Sequence, residues 1–305
     1  MTQKIILDMD PGIDDAAAIA IALTDPEFDV QLLSTVAGNV DAHKTTLNAL
    51  KLVEFFNVAD KVPVATGAQQ PLLKHYEDAS HVHGESGMPG WDFPAVTTKP
   101  LAIHAVEALR QTLLDSPEPL TVVATGAFTN LALLFSMYPD VKTKIDRIVL
   151  MGGSLVGGNM TSVAEFNIYT DPHAAQMVMR SGLPIVMIGL DVTMKALLTH
   201  ENIEMLADIN QGGAMLQALF KHYGDTEVGG KPMHDVNTLF YLMHPEAFTL
   251  TNYWVDVITE GPAIGGTIAD VLANHHDGKT NVAVATDIDV EAFNAWFMSE
   301  VKNYL

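Results

Sequence analysis

A chain of 305 residues with a formal net charge of −21 is a poor partner for nucleic acid or an anionic membrane surface. With no Cys there is no disulfide framework, thiol nucleophile or cysteine-built zinc site. No signal-peptide pattern opens the chain and no apolar run nears the roughly 20 residues that span a bilayer, so a soluble, cytoplasmic protein is expected.

The first element is carried by Lys4–Ala20, KIILDMDPGIDDAAAIA. Ile5–Leu7 is a short apolar run, the pattern of a strand buried on both faces. Pro11-Gly12 breaks it, and a helix pattern follows at once, with Asp14 and Asp15 ahead of Ala16–Leu23, where the positive end of the helix dipole favours acids. Strand, tight turn and helix open a parallel α/β unit, and ligands gather at such carboxyl strand ends. Asp8, Asp10, Asp14 and Asp15 are crowded there and would repel one another. A divalent cation relieves that repulsion, and an all-oxygen set suits calcium or magnesium better than zinc. A solvated acidic cap is the other reading of the same residues. An EF-hand is excluded, because the positions that need Gly and Glu hold Ile13 and Ile19.

Strand and helix patterns then alternate. Val30–Val36 is a strand, His43–Phe56 a helix and Val62–Ala65 a short strand. Lys74–Phe93 follows no period and carries His75, His81, His83 and Trp91; loops of this length are commonly lids or mobile segments. His104–Leu114 reads as a helix, Leu120–Ala124 as a strand, Asn130–Tyr138 as a helix and Arg147–Met151 as a strand stopping at Gly152-Gly153. Asp171–Ser181 is a helix opened by Asp-Pro, and Ile185–Ile188 the next strand. Helices are expected over Glu201–Ile209 and Ala214–Tyr223, a glycine-rich loop over Gly224–Pro232, and a helix from His234-Asp235 to about Met243. Late strands are expected over Tyr253–Thr259 and Asn281–Ala285, and a last helix over Val290–Asn303. This alternation predicts an α/β fold: a mostly parallel sheet with helices on both faces. No linker, low-complexity segment or fixed-period repeat divides residues 1–305, so one domain is expected.

Further polar residues fall where the predicted strands end: Asn39, then Thr125-Gly126 with Thr129-Asn130, then Asn159, Glu165 and Asn167. Each alone reads as a turn or cap residue; together they mark one edge of one sheet. His234-Asp235 adds an acid–imidazole pair, suited to a metal ligand beside a proton donor.

At Asp8-Met9-Asp10 the chain resembles the aspartate pair of haloacid-dehalogenase-type phosphatases, which place Thr or Val soon after the second Asp, where Pro11-Gly12-Ile13 stands here. The fuller match is to the nucleoside hydrolase family, whose N-terminal signature resembles D-x-D-P-G-x-D-D: Asp8, Asp10, Pro11, Gly12, Asp14 and Asp15. The likeness runs in order through Val36-Ala37-Gly38-Asn39, His83-Gly84, Thr125-Gly126 to Thr129-Asn130, Met151-Gly152-Gly153, Ala164-Glu165-Phe166-Asn167 with Asp171-Pro172, and His234-Asp235. Two segments depart from it. Met194 follows Asp191-Val192-Thr193 where the family has His, and Gly265-Gly266-Thr267 lacks an adjacent Arg; both bear on base preference and subunit contacts.

The resemblance implies a calcium ion held by Asp10, Asp15, the Thr125 carbonyl and Asp235. It places Asp14, Asn39, Asn159, Glu165 and Asn167 at the ribose hydroxyls, Met151 against the sugar, and His83 and His234 toward the base. Asp10 would take a proton from water and His234 give one to the leaving base. The implied activity is calcium-dependent hydrolysis of ribonucleosides to free base and ribose, in purine and pyrimidine salvage, by a homodimer or homotetramer. His234 resembles the branch that accepts inosine and uridine. Two other readings stand beside it: a non-catalytic nucleoside- or ribose-binding protein on the same fold, and a metal-dependent phosphohydrolase using Asp8 or Asp10.

Overall fold

The computed structural model describes residues 2–224 and 227–304; Asp225 and Thr226, within the expected Gly224–Pro232 loop, lie outside the described residues, as do Met1 and Leu305. In chain order the strands are β1 (Gln3–Met9), β2 (Phe28–Thr35), β3 (Val64–Thr66), β4 (Leu120–Ala124), β5 (Ile145–Met151), β6 (Ile185–Ile188), β7 (Leu197–Thr199), β8 (Gly230–Pro232), β9 (Phe248–Tyr253), β10 (Val255–Val257), β11 (Thr267–Ala269) and β12 (Val282–Ile288). The α-helices are α1 (Ile13–Thr24), α2 (Ala42–Phe55), α3 (Ser80–His83), α4 (Ala105–Asp115), α5 (Thr129–Met137), α6 (Phe166–Thr170), α7 (Pro172–Met179), α8 (Leu190–Thr193), α9 (His200–Met205), α10 (Gln211–Phe220), α11 (Val236–Met243) and α12 (Val290–Glu300).

Eight strands form one sheet in the order β3-β2-β1-β4-β5-β6-β12-β9. Every neighbouring pair is parallel except β12 with β9, which is antiparallel at the edge. The order reverses at β1: the chain first moves outward through β2 and β3, then returns to add β4 on the other side. That reversal opens a crevice between the β1 and β4 ends, where open α/β sheets seat their ligands.

Successive strand residues point to opposite faces. Leu7, Val123, Val149 and Val186 therefore join one apolar core, and Ile6, Val122, Ile148 and Met187 the other. Helix α1 is buried from Ile13 to Ala22. Its small alanines let it lie close against β2, α10 and α11, and this is how Asp14 and Asp15 come to be buried rather than solvated. The acidic cap of the sequence reading is thus an interior feature.

The α/β expectation holds, with local corrections. The strand that pairs with β12 is Phe248–Tyr253, whereas Tyr253–Thr259 supplies β10 of a separate hairpin with β11. Phe248–Tyr253 is an edge strand in which only Phe248 is buried and Thr249, Thr251 and Asn252 interrupt the apolar residues, so it lacks the continuous apolar run of its neighbours. The helix expected over Glu201–Ile209 is α9 followed by a 3-10 turn at Leu206–Asp208. The next begins at Gln211, where the Asn210 side chain caps Gly213 N–H, and ends at Phe220. The short helices α3 and α6 have no counterpart in the sequence reading.

Candidate active site

The side chains of interest stand one after another past the carboxyl ends of the strands. Asp10 follows β1, Asn39 lies in the turn after β2, Thr125 follows β4, and Met151 ends β5. Glu165 caps α6, Asn167 lies in its first turn, and His234-Asp235 precede α11. A cleft of about 210 Å³ brings them together. Asp14, Asn39, His83, Thr125, Met151, Asn159, Glu165, Asn167, His234 and Asp235 line it, while Asp10 and Asp15 are wholly buried beneath its floor.

The floor is acidic. Oxygens of Asp14, Asp15 and Asp235 lie within 4.8 Å of one another. Asp15 Oδ2 accepts the Gly12 N–H and the Asn39 amide, each at 2.9 Å, and Asp15 Oδ1 accepts the Thr125 hydroxyl at 3.3 Å. Asp10 Oδ2 accepts the Asn39 N–H at 2.7 Å, but its Oδ1 is buried with no hydrogen-bond partner among the described residues. Burial and the neighbouring Asp14 charge push the Asp15 carboxyl up to about 7. Asp10 and Asp235 are also held well above the usual carboxylate range, by burial first and then by the surrounding aspartates. Acids this crowded resist ionisation without a compensating charge. The unpartnered Asp10 oxygen and the all-oxygen convergence fit a hard divalent cation.

The packing that holds the floor is tight. A Cβ on Gly38 would stand 2.0 Å from Asp10 Oδ2, so only glycine lets the turn after β2 close over Asp10. Asp14, expected at the sugar, stands in the acid cluster itself. The Thr125 carbonyl, expected on the metal, accepts the Asn167 amide at 2.7 Å and has a second lone pair beyond it.

The walls are polar and rigid. Glu165 accepts three backbone N–H groups: Asn167 at 2.9 Å, Gly153 at 2.8 Å and Ile168 at 3.1 Å. Its carboxyl is nevertheless raised by burial, which outweighs those bonds. Asn167 also donates to the Met151 carbonyl at 3.2 Å, and Asn159 Oδ1 accepts the Phe166 N–H at 2.9 Å. The two histidines are held from behind: His83 Nδ1 accepts the Ile13 N–H at 3.0 Å, and His234 Nδ1 lies 2.8 Å from the Thr193 hydroxyl.

Asp8 is not part of the cleft. It bonds Ser34 at 2.6 Å and Asn130 at 2.8 Å inside the sheet, with burial raising its carboxyl to about 6. This buried network ties β1 to β2 and α5. Sequence reasoning overlooked Thr193, Tyr223, Met160, Phe166 and His81, of which the last four line the cleft. Thr193 was visible in Asp191-Val192-Thr193, one residue before the departure at Met194. Tyr223 carried no signal beyond the end of a helix pattern.

Three comparisons bear on this arrangement. The family model for inosine-uridine preferring nucleoside hydrolase matches residues 5–295. Proteins named non-specific ribonucleoside hydrolase RihC are similar throughout: that of Klebsiella pneumoniae is 50% identical over 297 residues, covering 97% of both chains. Its Escherichia coli counterpart is 49% identical over the same length and coverage. Among solved structures, the purine-preferring ribonucleoside hydrolase of Gardnerella vaginalis superposes with a TM-score of 0.92 at 32% identity, covering 98% of each chain. A plant nucleoside hydrolase superposes equally well, at 32% identity and 99% coverage of each. With the acidic floor, the polar walls and the family match all falling on one sheet edge, the chain belongs to the inosine-uridine preferring nucleoside hydrolase family, and it is an enzyme.

Proposed function

We propose that this cleft hydrolyses the N-glycosidic bond of ribonucleosides with calcium as cofactor, accepts both purine and pyrimidine bases, and serves nucleoside salvage in the cytoplasm. The observation that carries the reading is the convergence of Asp14, Asp15 and Asp235, with the unpartnered Asp10 oxygen, under a wall of sugar-sized polar groups. The breadth of base preference follows the relatives' description as non-specific. No Lys or Arg lines the cleft among the described residues, which disfavours a phosphorylated substrate.

In this reading Asp10, Asp15, Asp235 and the Thr125 carbonyl hold the cation. When bound, it would supply a Lewis acid that lowers the pKa of water. Asp10 takes the proton of the attacking water. Asp14, Asn39, Asn159, Glu165 and Asn167 hold the ribose hydroxyls, and Met151 packs against the sugar. Cleavage builds positive charge on the ribose, as in other glycoside hydrolysis, and the carboxylate-rich floor stabilises it. His83 and His234 face the base, and His234 protonates it as it leaves.

The test is release of the free sugar, ribose from inosine and uridine and 2-deoxyribose from 2′-deoxyuridine, with and without excess chelator. Ribose should appear from both ribonucleosides, vanish on chelation and return with calcium. The 2′-deoxynucleoside should react roughly 10⁴-fold more slowly, because hydroxyl-binding groups are left unpaired. Undiminished turnover in chelator would sink the metal assignment.

Assembly as a homodimer or homotetramer is also proposed. It is supported by the exposed apolar residues Val163, Ile268 and Val271, which line one groove past the β5 end.

A further inference from the structure

The two histidines of the cleft differ in what holds Nδ1. A histidine that protonates a leaving group carries two protons before the transfer and one after. If Nε2 gives the proton, Nδ1 keeps its own hydrogen throughout and needs an acceptor. His83 Nδ1 faces the Ile13 N–H at 3.0 Å, and an amide N–H only donates. Its ring is thereby held neutral with the proton on Nε2, and giving that proton away would leave an imidazolate. The seat is close: a Cβ on Gly12 would stand 2.5 Å from His83 Nδ1.

His234 Nδ1 faces a hydroxyl instead. Its Nδ1 lies 2.8 Å from Thr193 Oγ1, and a hydroxyl oxygen accepts as readily as it donates. Thr193 is wholly buried and His234 only 6% exposed, so water does not readily replace a lost bond. The hydroxyl is also firmly placed. Thr193 ends α8 just past β6, where Leu190 N–H donates to the Gly153 carbonyl at 3.0 Å and Asp191 accepts the Leu155 N–H at 2.8 Å.

We infer that Thr193 is the positioning residue for leaving-group protonation: its Oγ1 accepts Nδ1–H of the His234 imidazolium and holds that tautomer while Nε2 protonates the base. In the step the C1′–N bond breaks, its electron pair passes to the base nitrogen, and the Nε2 proton goes to the base. His234 is left neutral with Nδ1–H still on Thr193. The inference rests on His234 being the donor, and adds the group that makes this ring, rather than His83, able to discharge a proton.

Thr193→Val removes the hydroxyl while keeping the shape; Thr193→Ser keeps the hydroxyl. Inosine and uridine are compared with p-nitrophenyl riboside, whose leaving group needs no proton. Thr193→Val should lower kcat on the nucleosides by about 10- to 100-fold, the scale of a lost hydrogen bond to a charged group. KM should stay within about twofold and nitrophenyl riboside turnover near that of the parent. Thr193→Ser should recover most of the loss, and Thr193→Val in a His234→Ala background should cost nothing more. Thr193→Ala carries the same comparison if the Val variant does not fold. A parent-like kcat in Thr193→Val, or an equal loss on all substrates, overturns the role of Thr193 while a selective loss in His234→Ala keeps the donor. If His234→Ala itself shows no selective loss, the donor reading falls and takes this inference with it.

Discussion

Gly38 shows how much of the site hangs on single atoms. Its missing side chain leaves the space that Asp10 Oδ2 fills, 2.0 Å from where a Cβ would be. Gly38→Ala should therefore displace the Asp10 carboxylate without touching the strand core. The expected outcome is a loss of kcat of at least about 10²-fold with weakened calcium binding, read by steady-state kinetics and calorimetric titration. Parent-like calcium affinity and rate would show that Asp10 is not held by this contact. Asn39 illustrates a different point at the same scale: its amide nitrogen is committed to the Asp10 carbonyl at 3.1 Å and to Asp15 at 2.9 Å. It orders the acids and also lines the cleft. Most candidate residues were legible because polar groups gather at successive strand ends, whereas His83 and Met151 came from the family resemblance alone. Their bonding partners were not, because hydrogen bonds across the sheet leave no trace in local periodicity.

At the scale of elements, the irregular segment 74–93 is fastened onto the cleft. Tyr76 donates to the Gly38 carbonyl at 3.0 Å, Ala79 N–H to the Asn39 carbonyl at 3.0 Å, and Gly224 N–H to the Val82 carbonyl at 2.8 Å. Asn48, on α2, donates to the Pro11 carbonyl at 3.0 Å and the Ser86 carbonyl at 2.8 Å, joining the segment to the turn between β1 and α1. Removing that buried amide in Asn48→Ala should destabilise the protein by about 1–3 kcal/mol. It should raise KM more than it lowers kcat, since His83 rides on the same segment. Denaturant unfolding and kinetics on inosine check this; a loss confined to kcat would contradict it. The sequence marked this stretch as functional from its length and lack of period. Its contact with the first turn needed the sheet to bring α2 and β1 side by side.

For the molecule as a whole, the acidic floor ties stability to pH and metal. Asp8 is raised to about 6 and Asp15 to about 7, with Asp10 and Asp235 raised as well. An unfolded chain ionises its aspartates near pH ~3.9. Because the folded pKa values lie above that, these carboxyls favour the metal-free fold fully at lower pH, and the contribution is lost as pH rises through about 6 to 7. The proposed calcium would compete with the protons of Asp10, Asp15 and Asp235 and so should bind more tightly as pH rises. The difference in Tm between calcium and chelator should widen from pH 5.5 to 8, reaching a stabilisation of about 2.7 kcal/mol at 100 times Kd. Differential scanning fluorimetry reads it, and a difference that narrows toward pH 8 would contradict the assignment. Self-association meets the net charge of −21, so salt should favour it by screening. Light scattering should give two or four times the 33.0 kDa chain mass; a 33.0 kDa particle at micromolar concentration and moderate salt would refute assembly.

The sequence by itself determined the alternating α/β architecture, because the two-face burial of parallel strands and the one-face periodicity of helices are local patterns. It also determined the first half of the acidic floor, because Asp10, Asp14 and Asp15 are joined by one short turn and meet whatever the rest of the chain does. Tertiary structure alone decided that those acids are buried rather than solvated, since only the packing of α1 against β2, α10 and α11 removes water from them. It alone brought Thr125 to Asp15 across 110 residues and Thr193 to His234 across 41, because strand order, not sequence distance, sets which ends are neighbours. The antiparallel edge strand β9 belongs with these: its half-exposed face reads as loop until β12 supplies the partner that makes it a strand.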